Sequence, residues 1–224
     1  MLKPSFQDNG TGSQNATLYS ASGDSISWST TYTWSGGQYD VKSYSSVNQL
    51  SANGMLLSDI TSAPTSWDWE YQEISSDLVA DVSYDIWVGT TPDDPGSNTT
   101  TFEIMIWVST EGGAGPLGSQ VASDISVGGY TWNLYEGPNT YWETISFVTA
   151  EGNLNNFSSD LKDFFDYLVA NYGVSDSDVS DSNGSDVSSW LSSEQYLQAV
   201  ESGTEPFTGS ATLYTSSFYV VVNT

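Results

Sequence analysis

Cysteine, histidine and arginine are absent from this chain of 224 residues, and lysine occurs only as Lys3, Lys42 and Lys162. Without thiols there is no disulfide framework and no redox pair. Without imidazole neither a Ser-His-Asp nor a Cys-His catalytic set can be built, and the usual His or Cys metal sites are excluded too. Three cations cannot neutralise a run of phosphates, so nucleic acid is excluded as a partner, and an anionic membrane surface would repel the protein. No apolar run approaches the ~18 residues of a membrane span. The longest, at 218–222, reads as a strand. Met1-Leu2-Lys3-Pro4 leads straight into polar residues and is no signal peptide, which implies either a cytosolic protein or a secreted one without its leader.

What is present is acid and aromatic. Asp and Glu number 28, giving a formal net charge of −25. Such a balance suits work in acid, where protonation relieves self-repulsion, or in high salt, which screens it. Asn9, Asn15, Asn98, Asn156 and Asn183 each open an N-x-Ser/Thr sequon, which favours the secreted, extracellular reading. Apolar residues make up 38% and aromatics 14%, with nine Trp. That is enough for a sizeable core. With no internal repeat and no linker, the expectation is a single catalytic domain over 1–224, with a poorly defined N-terminus at 1–11.

Alternation with β-branched and aromatic residues marks strands at 26–34, 66–72, 79–88, 101–108, 130–135, 144–148 and 211–222. Gly, Pro, Asn and Asp punctuate them. Many short strands at close intervals predict an all-β sandwich or jelly roll. Leu161, Phe164, Phe165, Leu168, Val169 and Tyr172 recur instead at helical spacing. They predict one amphipathic helix, capped by Ser158 or Ser159 and ended at Gly173. The acidic stretch 175–193 reads as a solvated loop insertion. Within it Asp181-x-Asn183-Gly184 matches a fragment of a calcium loop, but Val179 and Trp190 stand where ligands belong. No metal and no cofactor are expected.

Without His, Cys and Arg, chemistry falls to carboxylates, Tyr and Lys. Glycoside hydrolysis is the reaction class that needs only two carboxyl groups. In 101–108, Glu103, Met105 and Trp107 share one face and Ile104, Ile106 and Val108 the other. In 79–88, Ser83, Asp85 and Trp87 lie on one face, opposite Tyr84, Ile86 and Val88. A Glu beside Met and Trp suits a cleft wall. A second acid, Glu205, sits in Gly203-Thr204-Glu205-Pro206-Phe207-Thr208-Gly209, a segment bounded by Gly and Pro.

Glu103-Ile104-Met105-Ile106-Trp107 together with that second segment resembles glycoside hydrolase family 12. Trp34-Ser35-Gly36-Gly37, Val41-Lys42-Ser43-Tyr44, Tyr84-Asp85 and Asp160-Leu161-Lys162-Asp163-Phe164-Phe165 agree in order and spacing. Gly112-Gly113-Ala114-Gly115-Pro116-Leu117 and Gly137-Pro138-Asn139 resemble the xyloglucan-specific members. The resemblance implies a jelly roll of two curved antiparallel sheets with one helix, and substrate in an open cleft on the concave sheet. It also implies retaining endo-β-1,4-glucanase activity, with Glu103 as nucleophile, Glu205 as general acid/base and Asp85 as the auxiliary carboxyl. Trp107 and Trp28 are then candidates to stack on glucosyl rings, with Met105 and Phe207 beside the acids. A β-glucan is the expected partner, and the expected state is a monomer. Residues 1–11 lack the family's Asn-Leu-Trp-Gly-like motif, and Asn15 stands where many relatives have Cys. Unbranched cellulose or mixed-linkage glucan as substrate, and a non-catalytic carbohydrate-binding sandwich, stay open at this level.

Overall fold

In a computed structural model of the protein, residues 10–172 and 191–224 are described in full, and residues 2–6 by their backbone. The acidic stretch up to Trp190, with its calcium-loop fragment and the Asn183 sequon, lies outside the described residues, as do Gly173 and Asn9.

The strands are β1 (Leu2–Phe6), β2 (Thr11–Ser22), β3 (Ser25–Ser35), β4 (Ser43–Asn48), β5 (Met55–Leu56), β6 (Pro64–Gln72) and β7 (Val79–Gly89). After them come β8 (Thr100–Glu111), β9 (Ser119–Val127), β10 (Tyr130–Pro138), β11 (Glu143–Thr149) and β12 (Asn156–Asp160). The helix α1 (Leu161–Tyr172) and the long strand β13 (Tyr196–Val220) complete the chain. One sheet runs β1-β4-β13-β7-β8-β11-β10-β9. The other runs β2-β3-β13-β6-β12. This is the expected jelly-roll sandwich.

β13 is the spine of both sheets. Its 25 residues pair with β4 and β7 up to Thr208 and with β3 and β6 from Gly209 onward. The sequence marked only 211–222 as strand, because Gly203 and Pro206 read as breakers. Pro206 is tolerated because the ladder to β7 bulges just after it, where no N–H is required. β2, β4 and β9 also escaped the pattern search. β4 (Ser-Tyr-Ser-Ser-Val-Asn) is buried throughout although mostly polar. The hydroxyls of Ser43, Tyr44 and Ser45 find partners, as in the 2.9 Å bond between Thr30 and Ser45, which offsets much of the cost of burying them.

The pair β8–β11 is parallel, unlike the rest. Residues 112–118 must therefore return diagonally across the sheet from the end of β8 to the far edge strand β9. On the way Ala114 packs on Met105, Trp107 and Val148.

The core fills the space between the sheets. Trp28, Trp67, Tyr84 and Phe218 form one aromatic block, with ring centroids 5.3–6.0 Å apart. Ile86, Val88, Ile104, Ile106 and Val108 are fully buried beside it, as their alternation predicts. α1 lays Phe164 against Trp132 and Phe147 at 5.4 and 5.0 Å. Its cap is Asp160 rather than Ser158 or Ser159. The Asp160 carboxylate accepts the Lys162 N–H at 2.9 Å and the Ala63 N–H at 2.6 Å. A carboxylate at that place also complements the helix dipole.

Where β13 passes from one sheet to the other, Gly209 has φ +92°, and a Cβ there would meet the Leu78 backbone at 2.6 Å. The substitution Gly209→Ala combines a strained φ with a clash that backbone cannot relieve cheaply. We expect a loss of about 2–3 kcal/mol and a fall in Tm of about 5–10 °C by differential scanning calorimetry.

Candidate active site

Three adjacent strands, β13, β7 and β8, carry five carboxyls on the face away from the core. Glu205 lies opposite Asp81, Asp85 lies between Glu201 and Met105, and Trp87 lies between Ala199 and Glu103. Glu103 and Glu205 thus sit at levels six positions apart along β7. On a flat sheet that is about 20 Å. Both nevertheless border a single hollow of about 440 Å³, with Trp107, Asn139 and Phe207.

The rims are built from loops. The returning segment supplies Gly115, Pro116 and Leu117 on one side. On the other stands Tyr39, 86% exposed. Its loop is tied down by Lys42, whose ammonium donates to the carbonyls of Gly37 and Asp40, while the Lys42 backbone N–H donates to Pro206 O at 2.9 Å. A second hollow of about 650 Å³ is lined by Asn48, Trp87, Tyr141, Trp142 and Glu201.

Two donors meet at one oxygen of Glu103. Its Oε2 accepts the Thr144 hydroxyl at 2.6 Å and the Trp142 indole N–H at 3.1 Å. Burial raises its pKa, while the hydrogen bonds from Thr144, Trp142 and Asn139 lower it. These donors favour the ionised form.

The other carboxyls are pushed further. Burial raises Glu205 well above the carboxylate range, and the charges of Asp81, Asp85 and Glu103 add to it. Asp85 is raised well above its usual value by burial, then by Glu103 and Glu201. Asp81 is pushed up to about 7 by burial, against hydrogen bonds from Ser83 and with Glu205. The Ser83 hydroxyl donates to Asp81 Oδ1 at 2.9 Å. Carboxyls this close cannot all ionise cheaply, so the set retains protons at a pH where free carboxyls have lost them. Donors to the charged form at Glu103, beside a Glu205 raised further by burial and by neighbouring charge, set the two acids apart in the sense that two-carboxyl chemistry needs.

Of the residues marked in the sequence, Glu103, Glu205, Trp107 and Phe207 border one hollow, and Asp85 is buried beneath, coupled to Glu103. Met105 lies on the same face but is covered by the returning segment around Ala114. Trp28 is a correction. It is fully buried between the sheets against Trp67 and Phe218 and cannot reach a sugar. Its position on β3 turns it into the sandwich. Sequence reading missed Asp81, Asn139, Tyr141 and Trp142. The alternation of β7 could have given Asp81, which shares the parity of Asp85. Nothing local marks Trp142, which lies in the loop between β10 and β11. Among the described residues no cluster of acidic side chains has the arrangement of a metal site, and no helix is long and apolar enough to cross a membrane.

Comparison with known proteins agrees with this geometry. The profile of glycosyl hydrolase family 12 matches residues 6–223. A xyloglucan-specific endo-β-1,4-glucanase A of Emericella nidulans is 43% identical over 97% of this chain and 82% of its own length. A probable enzyme of the same name from Aspergillus niger is 44% identical over 94% of this chain and 79% of its own. Among solved structures, the catalytic domain of Humicola grisea Cel12A, in complex with a soaked thio cellotetraose, superposes with a TM-score of 0.81. It is 32% identical, covering 96% of this chain and 88% of that one. The family match and its relatives define a glycoside hydrolase. The chain belongs to glycosyl hydrolase family 12.

The raised carboxyls link stability to pH. An acid whose pKa is higher folded than unfolded binds its proton more tightly in the native state, so its contribution is present below the unfolded value and lost as pH rises through the folded one. For Asp81 the window runs from 3.8 to about 7. Tm should therefore fall by on the order of 5–10 °C between pH 4 and pH 7. Asp81→Asn should flatten that slope. Calorimetric scans across the range, at fixed ionic strength, check both.

Proposed function

We propose that the protein is a retaining endo-β-1,4-glucanase that cleaves the xyloglucan backbone by double displacement. The observation that carries this is the shared hollow of Glu103 and Glu205, one acid held by three donors and the other raised well above the carboxylate range by burial and then by its acidic neighbours. The xyloglucan assignment rests on the names of the relatives above 40% identity.

In the first step Glu103 attacks the anomeric carbon, and the bond to the leaving sugar oxygen breaks as Glu205 delivers its proton to that oxygen. A covalent glycosyl ester on Glu103 results. In the second step the Glu205 carboxylate takes a proton from water, whose oxygen attacks the same carbon and releases Glu103. Two inversions retain the anomeric configuration. Asp85, raised well above its usual range by burial and then by the charge of Glu103, places little competing negative charge beside the nucleophile as the ester forms and breaks. Trp107 and Phe207 line the path of the glucan, and Met105 supports Trp107.

The site of action is outside the cell, where polysaccharide is found. Asn15, Asn98 and Asn156 of the sequons are exposed, as glycosylation in a secretory pathway requires. A net charge of −25 favours a soluble monomer.

Glu103→Ala and Glu205→Ala should each lower kcat on xyloglucan by at least about 100-fold. Full activity in either variant refutes its assignment. Proton NMR of the first product formed should show the β anomer, and an α product would exclude the covalent route. Reducing ends released from xyloglucan and from carboxymethylcellulose, compared side by side, should favour xyloglucan.

A further inference from the structure

We propose that Trp142 is a positioning residue that fixes which oxygen of Glu103 attacks, and that it couples this orientation to the glucan lying in the neighbouring hollow. The proposal rests on Glu103 being the nucleophile.

Of the three donors to Glu103, the Trp142 indole N–H and the Thr144 hydroxyl converge on one oxygen, Oε2. A carboxylate so held presents its other oxygen, Oε1, to the anomeric carbon. Thr144 is the Cα partner of Glu103 across the β8–β11 ladder, so its place is set by the sheet. Trp142 is different. It sits in the loop 139–142, outside the strands, and its orientation depends on what packs around it. The Asn139 N–H donates to Trp142 O at 2.8 Å, closing the loop. The indole meets Trp87 edge to face at 4.9 Å and the Tyr141 ring at 6.1 Å. These three aromatic side chains share the hollow of about 650 Å³. Asn139, from the same loop, borders the hollow that contains Glu103 and Glu205.

The same indole therefore offers its N–H to the nucleophile and lines a groove of sugar-binding composition. A glucosyl unit packed in that groove restrains the ring, and the ring restrains Glu103. Binding there is converted into geometry at the reacting atom, and the loss of such a contact falls on kcat rather than on KM.

The substitution Trp142→Phe keeps an aromatic ring and removes the N–H. We expect kcat to fall about 10–100-fold with KM changed less than about 3-fold. The acid limb of the pH profile of kcat/KM, which reports ionisation of Glu103, should move upward by about one unit, because a donor to the charged form has gone. The other acids facing this cluster, Asp85 on β7 and Glu201 and Glu205 on β13, are unchanged in the variant. Tyr141→Ala, in the same hollow, has no hydrogen bond to Glu103 to lose. It should raise KM and leave the acid limb in place.

Covalent trapping separates this inference from the functional assignment. A 2-deoxy-2-fluoro cello-oligosaccharide with an activated leaving group should label Glu103, at a rate at least about 10-fold lower in Trp142→Phe. Label on another residue overturns the assignment of the nucleophile. Label on Glu103 at an unchanged rate, with an unmoved acid limb, overturns the role of Trp142. If Trp142→Phe folds poorly, β-(3-benzothienyl)alanine at position 142 replaces the N–H by sulfur at nearly constant shape. The same two readouts then decide.

Discussion

Repulsion among buried carboxyls with little positive charge to relieve it governs the active face. Asp81, Asp85, Glu103 and Glu205 share three adjacent strands and act on one another's ionisation. The ammonium of Lys42 is directed to the backbone carbonyls of Gly37 and Asp40, and that of Lys162 to Asp166 on the helix. With no arginine and no histidine in the chain, the cluster is relieved by protons and by neutral donors. Glu103 receives the donors, while Glu205 is raised further by burial and by the neighbouring charges. An Arg at the site would have pulled every carboxyl toward ionisation and removed that difference.

The scaffold has to hold these like charges together, and it does so with the strongest packing available to a sandwich. Beneath the acidic face, Tyr84, Ile86, Ile104 and Ile106 are fully buried. They bind β7 and β8 to an aromatic core whose indoles and phenol rings meet edge to face. β13 adds a second constraint, since one continuous strand belongs to both sheets. Glu205 is placed by the same backbone that, a few residues later, threads the opposite layer. The path of β13 through Gly209 is for that reason a determinant of the site as well as of the fold.

Loops convert the sheet into a cleft. The parallel pairing of β8 and β11 forces residues 112–118 back over the sheet, where they cover Met105 and leave Trp107 at the edge of the hollow. The loop between β10 and β11 contributes two donors to Glu103, Asn139 and Trp142. Both loops are rich in Gly, Pro or Asn, and their residues act through placement rather than through any periodic pattern.

The primary structure alone narrowed the chemistry to carboxyls, Tyr and Lys, by lacking His, Cys and Arg. It also determined the faces of β7 and β8 and the helix, because alternation and helical spacing are local properties. Glu103, Asp85 and Glu205 were legible through motif resemblance. Tertiary structure decided the rest. Trp28 and Trp107 are both strand tryptophans, and only the packing of two sheets sends one into the core and the other to the cleft. The partnership of Asp81 with Glu205 is a matter of register between strands more than a hundred residues apart in sequence. The bond from Trp142 to Glu103 exists because a parallel strand brings its loop alongside. Such contacts are non-local, and no window of sequence contains both partners.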